Sequence, residues 1–375
     1  MIDEKDNVFD ENNINVFDDG EIDEVENDTE VAKCSSCGAN MTFDPVKGSL
    51  LCPFCGTEKQ ILSKTAEELD FKRILEGNNS WGEETHVFRC ENCGAKEVLD
   101  KSEIATTCSF CGTSHVVATD ELSGLKPNAV VPFAIILEQA VEKVKAWARK
   151  KIFAPRSFKK SVRPEEVRGI YNPAFSFDAD TDSYYQGVLG KYYYVTKKVN
   201  GKTVTERRVR YFRIAGQYKS AFDDVLVQAS EIMKQKDLEK LQPFDTNQSK
   251  EYEQAYLAGF VANRYEKDGV QCWAVAKQEI DSRLKSMILK RYSYDVVQSF
   301  SISTQHSNIT YKYLLLPLYV GHCSFKKKLY NFFVNGRNGK VTGKTPVSPW
   351  RVLIATLLGL AVVGGIVALV YFFGG

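Results

Sequence analysis

Histidine is rare in this sequence of 375 residues, which contains only His86, His115, His306 and His322. No two of them stand four residues apart, so there is no helical pair of the kind that metalloproteases use to hold catalytic zinc. His322 and Cys323 are adjacent, and neighbouring side chains on a strand point to opposite faces, which separates a base from its nucleophile. The commonest hydrolytic metal and thiol sites are therefore not encoded.

The chain also lacks a complete nucleotide-binding P-loop, G-x4-G-K-[ST]. Gly343–Lys344–Thr345 supplies the end of the motif, but Asn338 stands where its first glycine is required. Gly201–Lys202–Thr203 fits a hairpin turn and not the strand–loop–helix unit that cradles phosphate. Together with the missing histidine pairs, this predicts that the protein is not an enzyme.

Asp178, Asp180 and Asp182 have the spacing that opens a calcium-binding EF-hand loop. The sixth position of that loop is Ser183 instead of glycine, and the twelfth is Leu189 instead of glutamate. We therefore expect a turn between strands that carries the three aspartates, with calcium binding as the weaker alternative.

Net charge is nearly absent, with 49 Lys+Arg against 48 Asp+Glu. The balance conceals an acidic leader, residues 1–30, which holds thirteen acids and one base, a net charge of −12. Since the whole chain carries +1, residues 31–375 carry +13. The leader is too polar to offset its ordering entropy, so we expect a disordered arm that solubilises the chain or binds a basic partner. It has neither the basic nor the apolar region of a secretory signal.

A long hydrophobic run occurs at the C-terminus, where Val352–Phe373 is 22 residues without a charge. At about 1.5 Å per residue this run makes a helix of about 33 Å, enough to cross a hydrocarbon core of about 30 Å. Trp350 and Tyr371 suit the two membrane interfaces. We therefore predict a transmembrane helix at residues 350–373 in preference to a buried core helix.

The flanking charges predict the orientation of this helix. Lys340, Lys344 and Arg351 precede it and no charge follows, so the positive-inside rule keeps the N-terminus in the cytoplasm. The prediction is a single-pass tail anchor in the plasma membrane. Helix–helix pairing in the membrane is permitted by two small-xxx-small pairs, Ala361/Gly365 and Gly364/Ala368.

Eight of the ten cysteines form two identical sets with the spacing C-x2-C-x14-C-x2-C. The second set follows the first at an offset of 56, so the segment is an internal duplication. Paired thiolates at this spacing suit a tetrahedral zinc ion, and glycine after each second cysteine permits the sharp turn between them. The predicted ligands are Cys34, Cys37, Cys52 and Cys55 in the first set, and Cys90, Cys93, Cys108 and Cys111 in the second.

Each set closes four sulfur ligands around one ion and leaves no position for water, which predicts two structural zinc ions. Disulfides are the competing interpretation, and a cytoplasmic location disfavours them because thiols stay reduced there. Iron is the other metal that the spacing permits. The segments resemble the zinc ribbons of transcription factors and RNA polymerase subunits. Such ribbons serve nucleic-acid binding, protein docking and bracing alike.

The pattern divides the chain into segments. Thr65–Glu68 fits a capping box that opens a helix over Ala66–Leu75, so we expect two ribbons that are separate beads on a helical spacer. The predicted boundaries are leader 1–30, first zinc ribbon 31–62, helical linker 63–85, second zinc ribbon 86–119, body 120–345 and transmembrane helix 350–373.

The body mixes helices and strands. Apolar residues at helical spacing predict helices over Ile135–Lys150, Glu231–Lys240 and Val270–Ile288, and Cys272 in the last is expected to be a small buried hydrophobe. Tyr171–Phe222 holds twelve aromatics in 52 residues and an Asn200–Gly201 hairpin turn. A second meander has strands at Tyr311–Leu316, Leu318–Phe325 and Leu329–Val334. Because strands neighbour strands, the predicted fold class is multidomain α+β with an antiparallel-sheet-rich body.

The hairpin around Asn200–Gly201 is basic and aromatic, and Glu206 is the one acid that opposes its cations. Such a surface suits single-stranded nucleic acid, anionic lipid headgroups or an acidic protein segment, the leader included. A solvated sheet face over an aromatic core is the alternative without a binding role. The candidate residues for an anionic partner are Lys197, Lys198, Arg207, Arg208, Arg210 and Arg213.

Five segments carry a resemblance to a known family, in this order after a zinc ribbon: NPAFSFDADTDSYYQG, FDDVLVQAS, YLAGFVANRY, LLLPLYVGH and YNFFVNGRNGKVTG. Over about residues 30–345 the chain resembles bacterial zinc-ribbon proteins that often carry the label of primosomal replication-restart helicase. Related membrane-anchored ribbon proteins are linked with flotillin-like and phage-shock envelope-stress systems. The resemblance brings no catalytic residues with it, and the incomplete P-loop argues against the helicase label.

Two functions are consistent with these features. The first is a non-catalytic, membrane-tethered adaptor whose ribbons and body bind protein partners at the cytoplasmic face of the membrane. The second is a nucleic-acid-binding accessory protein for replication that grips DNA with the basic hairpin and the ribbons. Salt separates the two, because binding through phosphate contacts weakens steeply as salt rises.

Overall fold

The computed structural model describes residues 33–76, 125–159, 167–199, 202–263, 265–326 and 328–373, together with four short strands between the first two ranges. The predicted acidic leader, residues 1–30, lies outside the described residues. So do four of the predicted metal ligands, Cys90, Cys93, Cys108 and Cys111.

The strands of the described part follow in chain order: β1 (Thr42–Asp44), β2 (Ser49–Leu51), β3 (Glu58–Lys59), β4 (Leu69–Asp70), β5 (His86–Arg89), β6 (Lys96–Leu99), β7 (Glu103–Thr107), β8 (Ser114–Val116), β9 (Ala129–Val130), β10 (Val167–Val199), β11 (Lys202–Gln228), β12 (Lys250–Glu251), β13 (Val261–Asn263), β14 (Val296–Phe325), β15 (Lys328–Asn335) and β16 (Val341–Gly343). The α-helices are α1 (Lys72–Glu76), α2 (Leu137–Lys150), α3 (Arg156–Lys159), α4 (Gln235–Leu241), α5 (Gly269–Leu289) and α6 (Pro349–Phe373).

Three very long strands form the spine of the fold. β10 lies between β11 and β14 and is antiparallel to both. Its pairing runs from Val167, opposite Gly321, to Val199, opposite Lys202. At about 3.3 Å per residue, the 33 residues of β10 extend roughly 100 Å. The predicted α+β fold with antiparallel sheets is confirmed, and β10 and β11 join where the Asn200–Gly201 hairpin was expected.

The second meander differs from its prediction, because β14 is one strand that continues through Pro317. Proline has no N–H to donate, so the middle of a strand disfavours it. Pro317 pairs with Tyr171 of β10 on one side. On the other side it stands between the last residue paired with β9, Leu315, and the first paired with β15, Leu318. The strand therefore continues because no outer partner needs the missing donor at this position.

Short strands complete the sheet on both sides of the spine. Along the outer edge of β14 lie β4, β9 and β15, and β16 pairs with β15. On the other side of β10, β13 runs parallel at Ile170–Tyr171 and leads to β7 and β8. β12 pairs with β9. The short strands lie towards the Val167 end of β10, so the body of the protein surrounds that end of the spine.

Helices cover both faces of the sheet in the body. α5 is capped by Asp268, whose side chain accepts a hydrogen bond from Gln271 N at 2.8 Å, and from Cys272 to Leu284 it buries every fourth residue in the cluster that contains Phe175 and Phe177. α4 covers the opposite face, where Leu238 and Leu241 pack on leucines of β14. The predicted helices Ile135–Lys150 and Val270–Ile288 are thus present as α2 and α5, and the one at Glu231–Lys240 starts four residues later than expected.

The linker after the first cysteine set is mostly extended, so the predicted helix Ala66–Leu75 is wrong. Thr65 forms a bridge with Lys250, and Leu69–Asp70 pairs with β14 at Tyr311 and Thr310. Helix α1 covers only five residues after that strand. The capping-box pattern failed because pairing with the body satisfies the same backbone groups in an extended conformation.

The C-terminal helix α6 begins at Pro349, a residue whose fixed φ suits a first helical turn. It is long and apolar enough to cross a membrane, and none of its residues Pro349–Ile366 is buried. Its first turn is attached to the body. The Arg351 guanidinium donates to the carbonyls of Ile152 and Ala154 at 2.9 and 2.8 Å, and Ser348 N donates to Phe153 O at 2.9 Å.

Candidate metal centre

Each C-x2-C pair of the first ribbon is a tight turn closed in the same way. Gly38 N donates to Cys34 O at 2.9 Å, and Gly56 N donates to Cys52 O at 3.0 Å. The two glycines have φ of +73° and +74°, and a Cβ built on either would meet nothing within 4 Å. Glycine is therefore required for the backbone conformation alone, as the sequence indicated.

The four sulfur atoms form a compact cluster. Cys34 Sγ lies 3.4 Å from Cys55 Sγ, Cys37 Sγ lies 3.5 Å from Cys52 Sγ, and all four lie within 4.8 Å of one another. Disulfide sulfurs would be about 2.0 Å apart, whereas sulfurs bound tetrahedrally at about 2.3 Å from zinc lie about 3.8 Å apart. The thiols are free, and the donor set fits a tetrahedral metal ion far better than a disulfide.

The surroundings of the thiols prepare two of them for ionisation. The backbone N–H of Ser36 is the main cause that lowers the pKa of Cys34 to about 6, and the Thr57 hydroxyl lowers the pKa of Cys55. The Ala39 N–H acts to lower the pKa of Cys37, but the Cys55 and Cys52 thiols outweigh it and raise that pKa to about 12. Four thiolates this close repel one another, so a bound cation is what would allow all four to ionise.

The segment that carries the first cysteine set is packed on the body, a contact that the sequence left open. Cys34, Cys52 and Phe43 belong to the same buried cluster as the main sheet. The Phe43 ring contacts Tyr256 edge-to-face at a centroid distance of 5.4 Å, and Phe43 N donates to Ala258 O at 2.9 Å. The cysteine cluster is therefore part of the protein's core, although Cys37 and Cys55 reach the surface.

Strand pairing around the second cysteine set repeats that of the first at the offset of 56. Around the first cysteine set, Lys33 pairs with Asn40 and encloses the Cys34/Cys37 turn, and Leu51 pairs with Glu58 and encloses the Cys52/Cys55 turn. In the second, Arg89 pairs with Lys96 and Thr107 pairs with Ser114. The duplication that the sequence predicts is thus present in the backbone pairing, while the second set of cysteines lies outside the described residues.

The six basic residues chosen from the sequence lie on the far end of the spine, on β10 and β11. Glu206 pairs with Lys197 at 2.9 Å and with Arg208 at 3.1 Å. Arg207 lies over the Tyr192 ring at 4.4 Å, and Arg210 lies over Tyr193 at 5.5 Å. The structure brings all six residues to one hairpin, far along the sheet from the metal cluster.

The predicted aspartate turn is wrong, since Asp178, Asp180 and Asp182 lie within strand β10. Asp180 accepts a hydrogen bond from Asn308, and Asp182 forms an ion pair with Lys219 at 3.1 Å. An extended strand spaces alternate residues about 6.6 Å apart, which no calcium loop can use. The EF-hand interpretation is excluded by this geometry.

Asp178 instead belongs to a polar cluster that the sequence did not predict. Register shifts flank it on both neighbouring strands, and its carboxylate lies within 4.8 Å of those of Glu68 and Asp223. The Lys312 side chain is 7% exposed, and its ammonium lies 3.0 Å from Glu68 and 3.8 Å from Asp224. Lys312 thus supplies the positive charge that a metal ion would otherwise bring. The feature of the sequence that could have indicated this cluster is Lys312, a lysine within a run of buried tyrosines and leucines.

One proton is shared within this cluster near neutral pH. Loss of water raises the pKa of Asp178 to about 7, and the neighbouring Glu68 adds to the rise. The hydrogen bond with Asp178 is the main cause that lowers the pKa of Glu68 to about 2, helped by Thr310 and Lys312. Asp178 therefore carries the proton and Glu68 the charge.

Cys272 is buried at the start of α5, as predicted, and burial raises the pKa of its thiol to about 12. His306 lies 3.6 Å from Asp281 and edge-on to Trp273, and burial lowers its pKa. Neither residue contacts the cysteine cluster among the contacts of the described residues.

These features define a class: an α+β protein with a long antiparallel sheet, a four-cysteine cluster near the N-terminus and one apolar C-terminal helix. The chain is 31% identical to a Bacillus subtilis (strain 168) protein, "Uncharacterized protein YdjG", over 322 residues, which is 85% of this chain and 91% of that protein. The chain belongs to the same family as YdjG. No protein-family model matches the chain, and no solved structure matches it.

Proposed function

We propose that the protein is a membrane-tethered adaptor in which zinc ribbons brace a surface that binds protein partners at the cytoplasmic face of the plasma membrane. The observation that carries this proposal is that the cysteine cluster packs into the core of the body, in a chain that also has an exposed apolar helix near its C-terminus. The resemblance to membrane-anchored zinc-ribbon proteins supports the same function.

The cysteine cluster suits a bracing role. Four protein ligands complete a tetrahedral zinc shell and leave no position for water or substrate, so the ion stabilises structure instead of performing chemistry. If the ion were iron instead of zinc, it would be bound by the same four thiolates. The matching pairings around the second cysteine set support a second ion held by Cys90, Cys93, Cys108 and Cys111.

The first ribbon also presents an apolar side chain to a partner. Phe54, between Cys52 and Cys55, is 80% exposed, and Val46 in the neighbouring β1–β2 turn is exposed as well. An aromatic side chain on a rigid turn is a favourable anchor for a protein interface, because little conformational entropy is lost on binding. The metal would hold Phe54 in place through the cysteines on either side.

The C-terminal helix would tether this surface to the membrane. Arg351 joins its first turn to the loop at Ile152–Ala154, so the body would remain at the membrane surface. The preceding lysines and Arg351 favour a cytoplasmic body by the positive-inside rule. Gly364 and Gly365 have open space around them, which suits pairing with a second transmembrane helix.

Site-specific crosslinking in intact cells tests the adaptor function. A photoreactive phenylalanine analogue placed at Phe54 of the full-length protein should give a defined adduct with a membrane-associated protein. The adduct should disappear in Cys34→Ser/Cys37→Ser, which cannot hold the metal. The same analogue at exposed Lys234, the residue before α4, is the matched control. Equal adducts at both positions, or an adduct that survives loss of the ligands, would contradict the proposal.

A further inference from the structure

The far end of the spine is a free-standing arm. β14 ends its pairing with β10 at Gly190, opposite Val296, and beyond that point only β10 and β11 continue. The arm, Lys191–Val199 and Lys202–Arg210, is therefore a two-stranded ribbon of about 30 Å. Lys191–Arg210 contains seven bases and one acid, a net charge of +6.

The two faces of the arm and of the adjoining sheet differ in composition. One face carries Tyr185, Leu189 and Ile214 and is covered by the end of α5. The register places Glu206 on this same side, where it neutralises Lys197 and Arg208. The opposite face, from Tyr184 to Lys198 and their partners, is not covered by any described element. We refer to it as the open face.

Tyrosine and arginine dominate the open face. Tyr184, Tyr194 and Tyr211 on it are 60%, 67% and 52% exposed. Arg207 and Arg213 stand among them, and the described residues of this face between Tyr184 and Lys198 include no carboxylate. The remaining neighbours are mostly serine, threonine, glutamine and small residues. The face is thus cationic, flat and rich in exposed aromatic rings.

We propose that the open face binds single-stranded nucleic acid. The exposed rings of Tyr184, Tyr194 and Tyr211 stack on unpaired bases, while Arg207, Arg213 and Lys198 contact the backbone phosphates. Aromatic platforms among cations are the combination that single strands need, because every base has a stacking face and every nucleotide a phosphate. A duplex keeps its bases stacked internally and cannot use the tyrosines.

The arm lies at the opposite end of the spine from α6 and has few of the exposed aliphatic groups of a lipid-inserting surface. The first turn of α6 contacts Ile152 and Ala154, and Phe158 nearby packs on Tyr330, which pairs with the end of β14. That end of the spine is roughly 100 Å along β10 from the tip of the arm. The described arm residues also expose few aliphatic groups, Val204 being the large one, whereas a lipid-inserting surface presents several.

Fluorescence anisotropy with the full-length, zinc-loaded protein in detergent tests the proposal. The labelled probe is an oligothymidylate of about 20 nucleotides, and the unlabelled competitors are a duplex of the same length, phosphatidylglycerol dispersed in the same detergent and a polyglutamate peptide. The oligothymidylate should bind at low salt and more tightly than the duplex. Tyr194→Leu and Tyr211→Leu should each weaken its binding roughly tenfold. Tyr193→Leu, next to Tyr194 but on the opposite face, is the matched control and should leave it unchanged.

The charge variants give an independent readout. Arg207→Gln/Arg213→Gln should reduce the slope of log affinity against log salt by about 1.4, since each phosphate contact on a single strand contributes about 0.7. Lys234→Gln/Lys236→Gln changes net charge equally on α4 and its cap, far from the open face, and should leave the slope unaltered. Tighter binding of duplex, phosphatidylglycerol or polyglutamate, or equal effects of Tyr193→Leu and Tyr194→Leu, would overturn the proposal. Neither result bears on the crosslink at Phe54, so the adaptor function stands or falls separately.

Discussion

The turn glycines of the first cysteine set allow a quantitative test of the proposed metal binding. Gly38 and Gly56 lie in the left-handed region at φ of +73° and +74°, and no atom stands within 4 Å of an added Cβ. Replacement by alanine therefore introduces strain and no collision. The strain costs about 1–2 kcal/mol, and the less flexible unfolded alanine chain offsets roughly 0.5 kcal/mol of it. We expect Gly38→Ala to destabilise the metal-bound turn by about 1 kcal/mol.

Because metal binding and folding of the ribbon are coupled, this strain should appear as lost zinc affinity. A cost of about 1 kcal/mol corresponds to roughly a fivefold weaker affinity, and Gly38→Ala/Gly56→Ala should be weaker by about 25-fold if the turns act independently. Competition with a chromophoric chelator measures this in a Cys90→Ser/Cys93→Ser background, which leaves only the first set of ligands.

Two controls separate backbone strain from other effects. Gly38→Asn should lose less affinity than Gly38→Ala, because asparagine tolerates positive φ. Gly359→Ala makes the same change in the open surroundings of α6, at an ordinary φ, and should not alter zinc affinity. If Gly38→Ala binds zinc as tightly as the unaltered protein, or if asparagine is as harmful as alanine, the conformational argument is incorrect.

Three further predictions concern the metal content, the polar cluster and the apolar helix. Elemental analysis should find about two zinc ions per chain, and about one in Cys90→Ser/Cys93→Ser or in Cys34→Ser/Cys37→Ser. A zinc content near zero in freshly purified protein would contradict the zinc assignment, and iron found in the same analysis would take its place. The pKa of Asp178 is raised to about 7, so its protonated form contributes stability that is complete below about pH 4 and is lost as pH rises to 7. Asp178→Asn should therefore be more stable than the unaltered protein at pH 8, by about 1–2 kcal/mol after allowance for half-burial. Thermal unfolding should find the two proteins equally stable near pH 4. Val362→Arg should release the protein from alkali-washed membranes, because arginine near the middle of a spanning helix costs about 2.5–3.5 kcal/mol, whereas Val362→Ala should remain bound.

Much of this protein could be predicted from local patterns. The helices α2 and α5, the hairpin at Asn200–Gly201 and the cysteine turns each depend on residues a few positions apart, which is the range over which periodicity, turn chemistry and ligand spacing operate. The apolar helix α6 was equally clear, because a run of uncharged residues needs no partner to be recognised.

The parts that sequence reasoning missed depend on distant residues. Glu68 meets Lys312 across 244 positions, and nothing near either residue indicates the other. The length of β14 also depends on distant residues. Pro317 suggests that the strand breaks there, and it continues because its outer partner changes from β9 to β15 at that position. The helix predicted over Ala66–Leu75 failed for the same reason, because pairing with β14 competes with the helix and wins.

The length of the spine has a physical consequence for the arm. An isolated two-stranded hairpin is marginally stable in water, so the arm relies on cross-strand contacts such as Arg207 over Tyr192. At its root, Gly190 leaves room for Tyr211, Val209 and Val296, which would stand within about 3 Å of an added Cβ. The ring of Tyr211 therefore has one edge close to the backbone of Gly190, while about half of its surface stays exposed on the open face. A ring held in this way is ordered before any partner arrives, so stacking on Tyr211 costs little further entropy.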